Sequence, residues 1–330
     1  MPSPSRSSDV RSETTSRGDS PAPPVNPGVE PPTDASGWAA SLADRYASVR
    51  GRVSQAASKS GRVAGDIILV AVTKFADPDQ IRSLIDLGHR DFGENRVQSL
   101  IQHAAMAEEY LARLRVVPSA VRADLAGGRL LSAVRSGQAV SPAASTAGAG
   151  FAGAALRWHL IGHLQRNKAR KAMEFVRLVH SVDSLRLAEE LQLLANRREE
   201  PVDVLLQVNC SGEESKFGCP VPAAQPLAEQ IDTMTNVRVR GLMTMAPLSD
   251  DPESARPIFR RCREIFDEMR IGGIGGGHFN ILSMGMSQDF EVAIEEGANV
   301  VRVGSAIFGE PRSGDPASPE DDGGGGAGAL

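Results

Sequence analysis

The sequence predicts an α/β protein, a single (β/α)8 TIM barrel with disordered termini. Three observations carry this prediction. Apolar runs of four to nine residues occur eight times, most of them followed by a stretch of helical spacing. Alternation of that kind produces a parallel sheet, and eight repeats are the number that closes it into a barrel. The first run, "IILVAVT", is apolar on both faces, as a strand must be when helices cover one side and a packed interior the other. No GxGxxG turn stands between an expected strand and its helix to mark the switch point of an open doubly wound sheet, the rival arrangement.

Residues 1–36 are rich in Ser, Pro and charge, and cannot bury enough apolar area to offset the entropy of ordering them, so they are expected to be disordered. The barrel domain spans 37–312. It opens with a helix over 38–58, with Ala39, Leu42, Tyr46 and Val49 on one face. "IILVAVT" (67–73) is the first strand, followed by a helix over 77–87, and "RDFG" (90–93) the second, followed by a helix over 94–114. A low-complexity insertion at about 115–155 contains "SGQAVSPAASTAGAGFAGAA" and is too long and biased for a packed connection. "RWHLIG" (157–162), "RLVHSV" (177–182), "VDVLLQV" (202–208) and "VRVRGLMTM" (237–245) are the next four strands. Their helices fall at 166–174, 184–198, 222–234 and 251–269. "HFNILSM" (278–284), a helix over 287–296 and "NVVRVG" (299–304) complete the eight units, and the tail 313–330 is again expected to be disordered.

With 41% hydrophobic residues in 330, the chain can bury a large core. A net charge of −5 and few aromatics, 4%, argue against nucleic acid and against an anionic membrane surface. Cys210, Cys219 and Cys262 form no CxxC pair and no metal-ligand spacing, so they read as free thiols of a reducing compartment. No apolar leader and no run long enough to span a bilayer is visible. A cytoplasmic location is therefore expected.

In a parallel barrel the residues just after each strand meet on one face. Here they are Lys74; Gly93, Glu94 and Asn95; His163 and Gln165; Asp183; Asn209; Thr244 and Met245; Gly285, Met286 and Ser287; and Arg302, Gly304 and Ser305. The loops after the seventh and eighth strands are the usual phosphate site of such barrels. Ser287 stands where the N-cap of the helix over 287–296 belongs, Gly285 and Gly304 permit close backbone approach, and Arg302 adds a charge. Lys74 ends an apolar strand, where burial would lower its pKa and favour Schiff-base chemistry with a phosphorylated carbonyl compound. A phosphate counter-ion or an exposed strand cap explains the same lysine equally well.

"LVAVTKF", "GHRDFGENRVQ", "WHLIGHLQRNK", "HSVDS", "VLLQVNCSGEESKFG", "VRGLMTMAP" and "LSMGMSQDFEVAIEEGANVVRVGSAIFGE" occur in this order across about 38–312. Together they resemble the signatures of the pyridoxal phosphate homeostasis proteins. The resemblance implies a barrel like the amino-terminal domain of alanine racemase, without that enzyme's second domain. It implies pyridoxal 5′-phosphate (PLP) held as an internal aldimine on Lys74, with Asn95 beside the ring or its hydroxyl. Ser287, Ser283, Gly304 and Ser305 would hold the phosphate, and Arg302 would neighbour the pyridine nitrogen, making the ring a weaker electron sink. His159 and His163 would pack or support the ring. The terminal extensions and the 115–155 insertion depart from the family pattern.

A racemase requires an acid/base on each face of the substrate carbon. The two tyrosines, Tyr46 and Tyr110, lie in helices away from the mouth. The expected function is therefore a non-catalytic, monomeric PLP carrier that supplies PLP-dependent apo-enzymes and so affects amino- and keto-acid balance. Two alternatives stand beside it: an amino-acid racemase using Cys210 as second acid/base, and a Schiff-base lyase acting on a phosphorylated sugar.

Overall fold

A computed structural model of the chain describes residues 35–116, 155–213 and 217–309. The termini expected to be disordered, 1–36 and 313–330, and the low-complexity insertion at about 115–155 lie outside these residues except at their edges. The eight expected strands are present: β1 Ile68–Val72, β2 Asp91–Glu94, β3 Arg157–Leu160, β4 Val176–Val182, β5 Val202–Asn209, β6 Val237–Met243, β7 Ile281–Ser283 and β8 Val300–Val303. Each pairs in parallel with its neighbours, β1 pairs with β8, and the β4–β5 pairing closes the ring. The protein is a (β/α)8 barrel.

Helix α1 (Ala35–Lys59) precedes the barrel, and α2 (Pro78–Asp86), α3 (Val97–Val116), α4 (Arg166–Ala172) and α5 (Leu185–Arg198) follow the first four strands. Then come α6 (Val221–Asp232), α7 (Arg256–Ile271), α8 (Phe290–Glu295) and the four-residue α9 (Ser305–Phe308). Asp77 starts α2 by accepting from the Gln80 amide at 2.9 Å, while Gln80 returns a bond to the Asp77 amide. Between strands and helices lies the main core, which includes Phe92, Leu100, Trp158, Phe259, Phe279 and Phe290. Leu178, Leu205 and Met243 form a smaller, separate cluster.

Several elements differ from the sequence reading. Glu94 is the last residue of β2, not the first of α3. The expected strand 278–284 is shortened to β7 because Ile274–Gly277 forms a 3-10 turn, with Gly275 and Gly276 at positive φ. The expected helix 251–269 divides into a 3-10 turn, Pro252–Ala255, and α7, which has Pro257 in its first turn where a missing N–H costs nothing. A two-residue strand, Cys219–Pro220, is added beside β5. Gly241 in β6 has φ +151°, and a Cβ there would overlap the Ile281 carbonyl oxygen of β7. Only glycine lets these two strands meet. Among the described residues no helix is long and apolar enough to cross a membrane.

Candidate functional site

Side chains of successive strand residues alternate between the barrel interior and the helix layer. At the end of β1 the ladder continues through the Thr73 amide, which donates to the Gly93 carbonyl at 3.0 Å. The Thr73 hydroxyl donates to Glu94 Oε1 at 2.5 Å, and His103 Nδ1 of α3 lies 2.7 Å from the same oxygen. Glu94, fully buried, thus ties the ends of β1 and β2 to α3. Lys74 follows directly. Its expected burial is not found: β1 ends two residues earlier, and Lys74 is exposed with Nζ 4.8 Å from the centre of the Phe75 ring. Asn95 follows β2 and is half-buried. Gly162 packs beneath it, where any Cβ would strike the Asn95 carbonyl.

The Ser287 hydroxyl does not cap the helix it precedes. Asp289 is the N-cap of α8, and its side chain accepts from the Met286 amide at 2.6 Å. Ser287 Oγ instead accepts from the amides of Gly304 at 3.1 Å and Ala306 at 3.3 Å. The hydroxyl therefore sits at the start of α9, between the loops after β7 and β8, where Ser305 is exposed. A four-residue helix cannot hold itself. Its other end is fixed by Arg45 of α1, which donates to the carbonyls of Ile307 at 2.7 Å and Phe308 at 3.3 Å. Gly304 lies against β1, its missing Cβ 3.4 Å from Val72.

Inside the barrel, Arg302 is buried, and its Nη1 donates to Ser283 Oγ at 2.7 Å and its Nη2 to the Thr244 carbonyl at 2.9 Å. Burial pushes the guanidinium down to about 10, with Asp289 and Cys262 working the other way. No carboxylate of the described residues lies within ion-pair distance of it. Ser283 Oγ lies 3.0 Å from His180 Nδ1 on β4, a contact between non-neighbouring strands that crosses the interior. His180 Nε2 is 2.9 Å from His159 Nδ1, and His159 Nε2 is 3.2 Å from Asp91 Oδ1. Arg157 closes the far end as a two-pronged donor to Asp91. Burial works to raise the Asp91 carboxyl, but the bonds from His159 and Arg157 outweigh it and hold the group at about 2. Burial, reinforced by His159 and Arg302, keeps His180 well below the ordinary histidine value, so it is neutral.

The structure therefore brings Ser287, Gly304 and Ser305 together on one side of the mouth, beside the strand end bearing Lys74, with Asn95 on the next strand. Arg302 lies deeper, level with Val70 in the β1–β8 register. Ser283, expected at the phosphate, is fully buried with its hydroxyl engaged by His180 and Arg302. His163 stands on the rim, stacked on Phe217 with centroids 5.0 Å apart and 3.9 Å from Asp183. Tyr46 bonds to His89 at 3.0 Å and Tyr110 to Asp86 at 2.8 Å, both outside the barrel. Cys210 shares its proton environment with Cys262 and Thr244, and the bond from Cys262 lowers its pKa. Asp91 and His180 escaped the sequence reading. The legible signal for His180 was a titratable residue in a largely apolar strand, in phase with interior Leu178.

Residues 79–311 match the family model described as the alanine racemase N-terminal domain. The pyridoxal phosphate homeostasis protein of Aquifex aeolicus is 36% identical over 268 residues, 81% of this chain and 97% of that protein. The chain belongs to the pyridoxal phosphate homeostasis protein family. The Escherichia coli K12 member is 32% identical over 272 residues, 81% of this chain and 96% of its own. Among solved structures, PipY of Synechococcus elongatus with PLP bound is 30% identical with a TM-score of 0.58, covering 81% of this chain and all of that one, 100%. The alanine racemase of Clostridium difficile, 12% identical with a TM-score of 0.53, shares the fold over 57% of its length.

Proposed function

We propose that this chain binds PLP at the barrel mouth, anchors it covalently on Lys74 and releases it to PLP-dependent apo-enzymes, acting as a carrier in the cytoplasm. The observation that carries this reading is Arg302: a buried cation whose hydrogen bonds go to the neutral Ser283 hydroxyl and Thr244 carbonyl, with the Asp289 carboxylate acting on it from beyond ion-pair distance. A buried charge without a counter-ion is costly unless a ligand or a network offsets it, and such groups mark functional sites. Family membership and the PLP-bound PipY relative support the same reading.

The residues present fit the group. The Ser287 hydroxyl and the exposed Ser305, with the backbone of Gly304, offer donors for a phosphate. Asn95 offers an amide beside the ring. Arg302 donates to a ring nitrogen rather than protonating it, which suits holding more than catalysis. Ser283 holds Arg302 instead of the phosphate. When bound, PLP supplies an aldehyde that condenses with an amine and a ring that withdraws electrons. The exposure of Lys74 leaves its Nζ open to water and to a competing amine, as reversible loading requires. A carrier role rather than racemisation is supported by the engagement of both tyrosines outside the barrel. Nothing in this arrangement calls for a second subunit, and we take the working unit to be a monomer.

The test is transfer. Protein loaded with PLP and freed of excess by gel filtration is mixed with the apo form of a PLP-dependent transaminase. Reactivation by the wild type but not by Lys74→Ala is expected. Steady release of the opposite enantiomer from an L-amino acid, lost in Lys74→Ala, would instead establish a racemase.

A further inference from the structure

The polar chain that crosses the barrel has a direction. Asp91, a carboxylate, can only accept, so His159 Nε2 carries a proton toward it. The one negative charge of Asp91 is already matched by Arg157, and a second cation on His159 would stand uncompensated in the interior. His159 Nδ1 is therefore the acceptor, and His180, neutral, gives it the Nε2 proton. His180 Nδ1 is then a bare acceptor and receives the Ser283 hydroxyl proton, which turns a Ser283 lone pair toward Arg302 Nη1–H. Every bond points from Arg302 to Asp91, and no donor or acceptor between them is left over.

The geometry points to Asp91, His159 and His180 as positioning residues that act on the cofactor site through Arg302. Asp91 sets the polarity, and the chain presents Ser283 to Arg302 as an acceptor. With the Thr244 carbonyl, this fixes two of the five guanidinium donors and so the plane of the group, which leaves other N–H donors, one of which would hold the ring nitrogen when PLP is bound. The reverse chain would place His180 Nδ1–H and Arg302 N–H on the same serine oxygen and leave the hydroxyl proton without its acceptor, loosening Arg302. This inference rests on the reading of Arg302 as the ring-nitrogen neighbour. His89, His103 and His278 take no part in the chain and serve as internal controls.

The test uses the full chain labelled with 15N-histidine. Before loading, both His159 and His180 are expected as neutral rings carrying the proton on Nε2. A proton on His180 Nδ1, or a cationic His180, overturns the chain. On addition of PLP, the His180 and His159 nitrogens are expected to shift while those of His103 and His278 stay still. If all six histidines remain unchanged although the PLP absorption band forms, the coupling is wrong. If no band forms, the reading of the site fails, while the tautomers measured before loading still decide the direction of the chain. In His180→Leu the PLP dissociation constant is expected to rise about tenfold, the loss of one well-placed bond, with Lys74 still trapped by borohydride. An affinity equal to wild type would overturn the positioning role; if that variant does not fold, the wild-type shifts decide.

Discussion

At the scale of single residues, buried polar groups carry both stability and site geometry. His89 is the plainest case. Its Nε2 lies 2.7 Å from the Asp91 carbonyl and so must donate, which leaves Nδ1 to accept from the Tyr46 hydroxyl at 3.0 Å. Both bonds suit the neutral ring, and burial lowers His89 to about 4. The unfolded chain takes up this proton near its ordinary value of 6.5, the folded one only near 4. The stabilisation is thus fully present above pH 6.5 and disappears as pH falls through 4. Urea unfolding should show a loss of about 3 kcal/mol over this window from His89, and the loss should be absent in His89→Gln. Residue roles were only partly legible in the sequence. Strand-end position placed Lys74, Ser287 and Gly304 at the mouth, because that depends on local spacing, whereas Arg302 lies buried within β8 rather than after it. The partners of Ser283 and His180 depend on which strands face each other across a closed ring, and a sequence does not print that. The burial of Lys74 was misjudged because the strand ends at Val72, two residues short of it.

At the scale of elements, the site depends on short pieces held from outside. The loop between β7 and α8 turns at Gly285, with φ +93°, and a Cβ there would lie 2.6 Å from that of Ala293 and 2.9 Å from the Phe290 Cα. Gly285→Ala combines a left-handed backbone penalty with overpacking, together about 3 kcal/mol. It should also displace Ser287 from the amides of Gly304 and Ala306. Thermal unfolding and PLP titration on the same variant check this: a lower melting temperature with weakened binding is expected. Unchanged binding would show that the turn does not place Ser287. The alternation of strands and helices was legible because each element must bury an apolar face. Its boundaries at 94, 281 and 256 were not, because a bend at glycine or a 3-10 turn before a helix leaves little mark on hydrophobic period. The two-residue strand Cys219–Pro220 is too short to have one.

At the scale of the molecule, α1 joins the beginning of the described chain to its end. Leu42, Val49 and Val53 are buried in the main core, Arg52 pairs with Glu291 of α8 at 2.6 Å, and Arg45 holds the carbonyl end of α9. Nearby, Arg256 of α7 bonds to Glu295 and Glu296, each at 2.8 Å, so the last β/α units are gripped from two sides. Arg302 is buried and the loops after β7 and β8 are bonded to each other through Ser287, whereas Lys74 is exposed. That division fits a protein that must keep a reactive aldehyde in one orientation and still give it up. The central claim is that Lys74 is the amine that holds PLP. The most direct measurement is reduction of the PLP-treated protein with borohydride, followed by digestion and mass spectrometry of the peptides. One dominant pyridoxyl adduct, on Lys74, is expected. An adduct scattered over surface lysines, or concentrated on another one, would contradict it.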